Sequence, residues 1–72
     1  MPNPLHSQKY QKVRKQLRTA RLEASLTQIE VAKKLKKHQS YISKIETGER
    51  RLDVAELNEL AKLYNKPLDY FV

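Results

Sequence analysis

The chain of 72 residues has no cysteine. Without thiols there is no disulfide staple and no thiolate metal site, and a reducing, intracellular compartment fits. Glycine occurs once, phenylalanine once and tryptophan not at all. A β-sandwich or barrel needs many turn signals and aromatic or branched strands, so both are disfavoured. No apolar run approaches the ~20 residues of a membrane span. The first residues, Met1-Pro2-Asn3-Pro4-Leu5-His6-Ser7, hold no apolar segment, so no signal peptide is expected. His6 and His38 have no ligand set around them, which argues against a metal site. There is no glycine-rich phosphate loop and no Ser-His-acid set that assembles. Neither a cofactor nor an enzymatic activity is expected.

What is abundant is positive charge, a formal +7. It is unevenly placed. Residues 1–51 carry thirteen Lys/Arg against four Asp/Glu, whereas residues 53–72 carry two against four. A basic body with a mildly acidic tail suggests a polyanion partner on one side. A solvated, soluble surface would give the same balance.

The apolar pattern is helical. Tyr10, Val13, Leu17, Ala20 and Ala24 follow a three-four spacing and predict one buried stripe on a helix from Gln8 to Ala24, with Ser7 as its cap. Residues 1–7, with two prolines and no period, are expected to form a loose arm ahead of a domain over 8–72. Arg21 lies beside the stripe. A long cation there must snorkel to water or meet a carboxylate. Ser25 and Leu26 form a short connection. Thr27-Gln28-Ile29-Glu30 is a capping box that starts a second helix, Gln28–Leu35. It places Gln28 at a helix N-terminus, where free amides attract phosphate.

A third helix is expected from His38 or Gln39 to Thr47, with Gly48 as a left-handed stop. Glu49, Arg50 and Arg51 form a charged loop. A second capping box, Asp53-Val54-Ala55-Glu56, opens a fourth helix. Its inward residues should be Val54, Leu57, Leu60, Ala61 and either Leu63 or Tyr64. Asn65 suits a left-handed end, and Pro67 suits the first turn of a fifth helix seating Leu68 and Phe71 on the core. The expected fold is all-α, a compact five-helix bundle.

Residues 28–47 organise the rest. Val31, Ala32 and Leu35 share one helix face, and Ile42 and Ile45 share another. The corner between them, Lys36-Lys37-His38, is too polar to bury. Gln39, Ser40, Ser43 and Lys44 face outward, a set suited to reading base edges. Tyr41 either packs on a DNA backbone or covers the edge of the core.

The chain resembles the helix-turn-helix DNA-binding domains of the phage repressor and Cro type, the xenobiotic-response-element family. The resemblance covers residues 9–72. Its motifs are Leu17-Arg18-x-Ala20-Arg21, Leu26-Thr27-Gln28-x-x-Val31-Ala32-x-x-Leu35 and Ser40-x-Ile42-Ser43-x-Ile45-Glu46-x-Gly48-x-Arg50. They continue as Leu57-x-x-Leu60-Ala61 and Pro67-Leu68-Asp69. Five elements in the right order make a specific signal.

The resemblance implies a transcriptional regulator, of repressor type, that reads double-stranded DNA with helix 39–47 in the major groove. Gln39 would be the leading base reader, since Gln can pair with both N6 and N7 of adenine. Ser40 and Lys44 match groove-facing positions, and Ser43 lies on the same flank. Gln28 would contact a phosphate and brace Gln39. Arg50 and Arg51 match a loop that tracks the DNA backbone, and Lys36 and Lys37 are expected near phosphate. Arg21 and Glu46 match a buried ion pair between the first and third helices. Three positions depart from the family pattern: Lys36 replaces the usual glycine, Lys37 an apolar residue and His38 a Ser or Thr. Lys36 must therefore take a left-handed backbone, at a cost on the order of 1 kcal/mol, or the turn is remodelled.

A homodimer on half-sites about 34–36 Å apart is expected. Leu63, Tyr70 and Val72, away from the basic face, are its candidate contacts. The resemblance places the protein in the cytoplasm, on the nucleoid, with no membrane role. The alternative is an antitoxin or other protein-interaction module on the same helical domain, with a protein partner bound by apolar residues of the fourth or fifth helix.

Overall fold

The structure, a computed structural model, describes residues 8–72. The arm expected over residues 1–7 and the Ser7 cap lie outside the described residues. Four α-helices follow in order: α1 Gln8–Glu23, α2 Gln28–Leu35, α3 Gln39–Thr47 and α4 Val54–Leu63. A 3-10 turn, Leu68–Tyr70, closes the described chain. Both capping boxes are complete. Thr27 Oγ1 accepts from the Glu30 amide at 3.1 Å while the Thr27 amide donates to Glu30 Oε1 at 3.0 Å. Asp53 and Glu56 exchange the same pair of bonds at 2.8 and 2.9 Å. Each box satisfies two amides that a helix start would otherwise leave unpaired.

The helices stop by one device. Ser25, Lys36, Gly48 and Asn65 all have positive φ, at 60, 57, 84 and 58°. At Ser25, Lys36 and Asn65 the same two bonds close the helix. The amide of the left-handed residue donates three residues back, to Leu22, Lys33 or Lys62. The next amide donates five back, to Arg21, Ala32 or Ala61. This is the Schellman arrangement, usually built on glycine. Ala24 keeps its helical bond to Ala20 O at 2.9 Å, although α1 is bounded at Glu23.

The turn at Lys36 is therefore not remodelled: a lysine accepts φ 57° and ψ 43°. A left-handed L-residue is strained because its Cβ crowds the following carbonyl oxygen. Lys36→Gly should raise stability by about 0.5–1 kcal/mol, seen as a higher Tm in thermal denaturation. An equal or lower Tm would mean the lysine is held there without strain.

The core gathers one or two residues from each element. Leu17 and Ala20 come from α1, Val31 and Ala32 from α2, and Ile42 and Ile45 from α3. Leu60 and Ala61 of α4, then Tyr64 and Phe71, close it. Val13, Ala24, Leu26, Leu35 and Leu57 pack on its rim. Of the two candidates at the end of α4, Tyr64 is buried and Leu63 only half-buried.

Three expectations need correction. The fifth helix is a single 3-10 turn. Pro67 is extended, with ψ 158°, and stands before the turn rather than inside it. The bonds Tyr70 N to Pro67 O and Phe71 N to Leu68 O span three residues, not four. Val54 does not face in and is 76% exposed. Helical side chains lean toward the N-terminus, and at the first position no earlier turn lies beneath them. Leu68 is 40% exposed while Phe71 is fully enclosed, so one side chain fills the place expected for two.

Candidate nucleic-acid interface

The second and third helices pack on each other at the corner, and α1 lies across α3. That crossing brings Arg21 to Glu46. Arg21 Nε donates to Glu46 Oε2 at 2.7 Å and Nη2 to Oε1 at 3.0 Å, a bidentate pair whose side chains are 9% and 6% exposed. Arg21 Nη1 donates to Leu26 O at 2.9 Å. The hydrogen bond to Glu46 raises the Arg21 pKa against the opposing effect of burial, so the guanidinium stays charged.

From Glu46 the network runs outward. Gln28 Nε2 donates to Glu46 Oε1 at 3.1 Å, and Gln39 Nε2 donates to Gln28 Oε1 at 3.2 Å. The direction of this chain is forced. A carboxylate only accepts, so Gln28 must turn its amide nitrogen inward and its oxygen toward Gln39. Gln39 must then offer nitrogen to Gln28. Its own oxygen and its second N–H remain to face outward. One donor beside one acceptor is the pattern that adenine N7 and N6 complement.

On α3, successive residues turn by about 100°. Gln39, Ser43, Ser40 and Lys44 then fall in that angular order across an arc of about 140°. Gln39, Ser40 and Lys44 are exposed, and Ser43 is half-buried. Ile42 and Ile45 hold the opposite side in the core. Thr47 falls inside the outward arc and was not among the expected contacts. Its hydroxyl turns back to donate to Lys44 O at 3.3 Å.

Tyr41 bounds the other edge of the arc. It packs on the rim of the core, and its hydroxyl donates to Glu56 Oε2 at 2.6 Å. Burial, then the Glu56 bond, pushes its pKa up. Arg50 Nη1 donates to the same Glu56 oxygen at 3.0 Å. Partial burial works against the ionised Glu56, yet the bonds from Tyr41, Asp53 and Arg50 outweigh it and hold the carboxyl below its usual range. Lys37 and Arg50 both lie over the Tyr41 ring. Lys36, Arg51 and His38 are exposed. His38 stands at the N-cap of α3 with no side-chain cap bond.

Three supporting residues were not legible as such. Arg14 of α1 packs beside Gly48, and its Nη1 donates to Glu46 O at 3.3 Å, a cation at the C-terminal end of α3. The Tyr10 hydroxyl donates to Arg50 O at 3.0 Å and accepts from the Leu52 amide at 3.1 Å, clamping the charged loop to α1. Glu56 was read as a cap alone. Its second oxygen, the one that holds Tyr41 and Arg50, has no local sequence signature.

The family model for helix-turn-helix domains matches residues 17–71. The chain belongs to the Cro/C1-type helix-turn-helix family. As a Cro/C1-type protein it carries a DNA-binding domain of the transcription-regulator kind. Comparison with curated proteins and with solved structures gave no match. Among the described residues of this Cro/C1-type domain, no helix is long and apolar enough to cross a membrane.

Proposed function

We propose that the protein is a sequence-specific repressor that inserts α3 in the major groove of double-stranded DNA. The observation that carries this reading is the bonded chain from Arg21 through Glu46 and Gln28 to Gln39. It fixes an exposed amide at the first turn of α3 from a buried anchor, and a solvated surface residue needs no such support. Gln39, Ser40, Ser43 and Lys44 read base edges. Gln28, Lys36, Lys37, Tyr41, Arg50 and Arg51 contact phosphates, which set register but carry no sequence information. Two copies act on a palindromic site, with half-sites about 34–36 Å apart and the C-terminal half as the dimer face. The protein works on the nucleoid in the cytoplasm, without catalysis.

Duplexes recovered by wild-type binding from a random-sequence pool supply the probe. In gel shifts, Gln39→Ala and Lys44→Ala should lose preference for the selected site and keep residual non-specific binding. Each good base contact contributes about 1–3 kcal/mol of discrimination, so preference should fall at least several-fold per variant. Wild-type preference in both variants would remove α3 as the reader. Non-specific binding should weaken steeply with salt as counterions are released.

A further inference from the structure

Beside the first turn of α3, two cationic side chains converge on one aromatic ring. The Arg50 guanidinium carbon lies 4.7 Å from the centre of the Tyr41 ring, and Lys37 Nζ lies 5.4 Å from it. Glu56 holds the group from behind. Its Oε2 accepts from the Tyr41 hydroxyl at 2.6 Å and from Arg50 Nη1 at 3.0 Å. Its Oε1 is used separately, accepting from the Asp53 amide at 2.9 Å. A capping box needs only that one oxygen. The second is spent on two side chains from outside α4.

Arg50 is held by one corner. Nη1 reaches Glu56 and, at 3.3 Å, Arg51 O. Nε and Nη2 make no hydrogen bond to the described residues, and the side chain is 41% exposed. The guanidinium is thus stacked and anchored while its outer edge stays open. Two cations stand against one carboxylate, so the cluster keeps a positive balance.

We propose that Glu56 is the positioning residue of a preformed phosphate seat, built from Lys37, Tyr41 and Arg50 on the flank of α3 away from Gln28. The seat rests on the DNA-binding reading above, and adds to it a carboxylate that binds no DNA itself. The physical gain is entropic. A free arginine loses many rotamers on binding, and one already held by a bidentate-capable anion and a ring has lost them beforehand. Its open N–H edge then meets phosphate oxygens in charge-assisted bonds. Direct Coulomb repulsion between Glu56 and phosphate acts the other way, weakened by solvent and salt. The sign of the effect of removing the charge therefore decides between positioning and repulsion.

Glu56→Gln is the informative variant. Glutamine can keep its one carbonyl oxygen on the Asp53 amide for the capping box and donate its N–H to the Tyr41 hydroxyl oxygen, but it offers Arg50 neither charge nor an acceptor. Affinity for the selected duplex is measured for wild type, E56Q, R50A and the double variant, at a temperature where circular dichroism shows all four folded. E56Q should bind roughly 3- to 10-fold more weakly while keeping its site preference. In the R50A background, E56Q should add nothing, because the residue it positions is gone. Equal or tighter binding by E56Q overturns the proposal, as does a full additive loss in the R50A background. A wild type that prefers no duplex sinks the DNA-binding reading and the seat with it. Preference lost on Gln39→Ala together with an unaffected E56Q sinks the seat alone.

Discussion

Glu46→Ala is expected to destabilise the domain by about 3–5 kcal/mol and to abolish site preference in the same step. The stability loss follows from burial. Arg21 is 7% exposed and would keep only Leu26 O as a partner. An uncompensated charge in that position loses the solvation it gave up on folding. Domains of this length are stable by roughly 4–11 kcal/mol in total, so the change removes a large share. Tm should fall by more than about 12 °C, and urea unfolding should report the same loss. The loss of preference follows from direction. Without the carboxylate, nothing obliges Gln28 to turn its oxygen toward Gln39, and the Gln39 amide loses its fixed orientation.

These two consequences can be separated. Replacing both partners, Arg21→Met with Glu46→Leu, should recover most of the stability, because an apolar pair needs no charge desolvated. It should not recover preference for the selected duplex. A Glu46→Ala loss under about 1 kcal/mol would mean that water still solvates the pair. A double variant that still prefers its site would mean that Gln39 is oriented by some other contact.

Phe71→Ala is expected to cost about 3–5 kcal/mol, although Phe71 only follows a turn of three residues. Phe71 is completely enclosed and heads the largest buried side chains of the protein. Its ring meets the Tyr70 ring edge-on at 5.0 Å, and Gln16 Nε2 of α1 holds Tyr70 O at 3.2 Å. Lys66 also ties this end to α1 through Glu23 at 2.8 Å. The cavity left by the ring cannot close without moving other side chains of the core, so both transfer and cavity penalties apply. Phe71→Leu should cost less, since more of the volume is kept. Thermal denaturation ranks the two variants. A loss under about 1 kcal/mol for Phe71→Ala would show that the C-terminal turn does not belong to the cooperative core.

How far the chain could be read without coordinates depended on the distance over which each signal acts. The four helix spans follow from caps and stripes whose members lie three or four residues apart. Thr27 with Glu30 and Asp53 with Glu56 fix two starts locally, and Gly48 and Asn65 mark two stops. The left-handed stop at Ser25 carries no such mark, because serine also suits caps and turns. At Pro67 the local signal is ambiguous, because a proline that opens a helix and one that precedes a 3-10 turn look alike in sequence. The spacing of Val54 to Leu57 points it inward because spacing counts angle around the helix and ignores the helix end, where Val54 is exposed.

At the candidate interface, the outward arc of Gln39, Ser40, Ser43 and Lys44 was legible because one helix defines it. Local pattern and composition are enough for an all-α fold, a basic body and a helix-turn-helix with a polar outer arc. They leave Arg21 either to snorkel to water or to meet a carboxylate. The family resemblance anticipates the Arg21–Glu46 pair and Gln28 bracing Gln39, but the direction of the bonds, and the Tyr41–Glu56 bond altogether, come from the packing: these partners lie 25, 11 and 15 residues apart. Pairings at such separations depend on where the helices cross, which no local pattern encodes. Lys36 shows the same division. Its identity made the turn at residues 36–38 uncertain, and it took the packing of α2 on α3, with Lys37 N bonded to Ala32 O, to hold a lysine in a conformation that glycine would adopt freely.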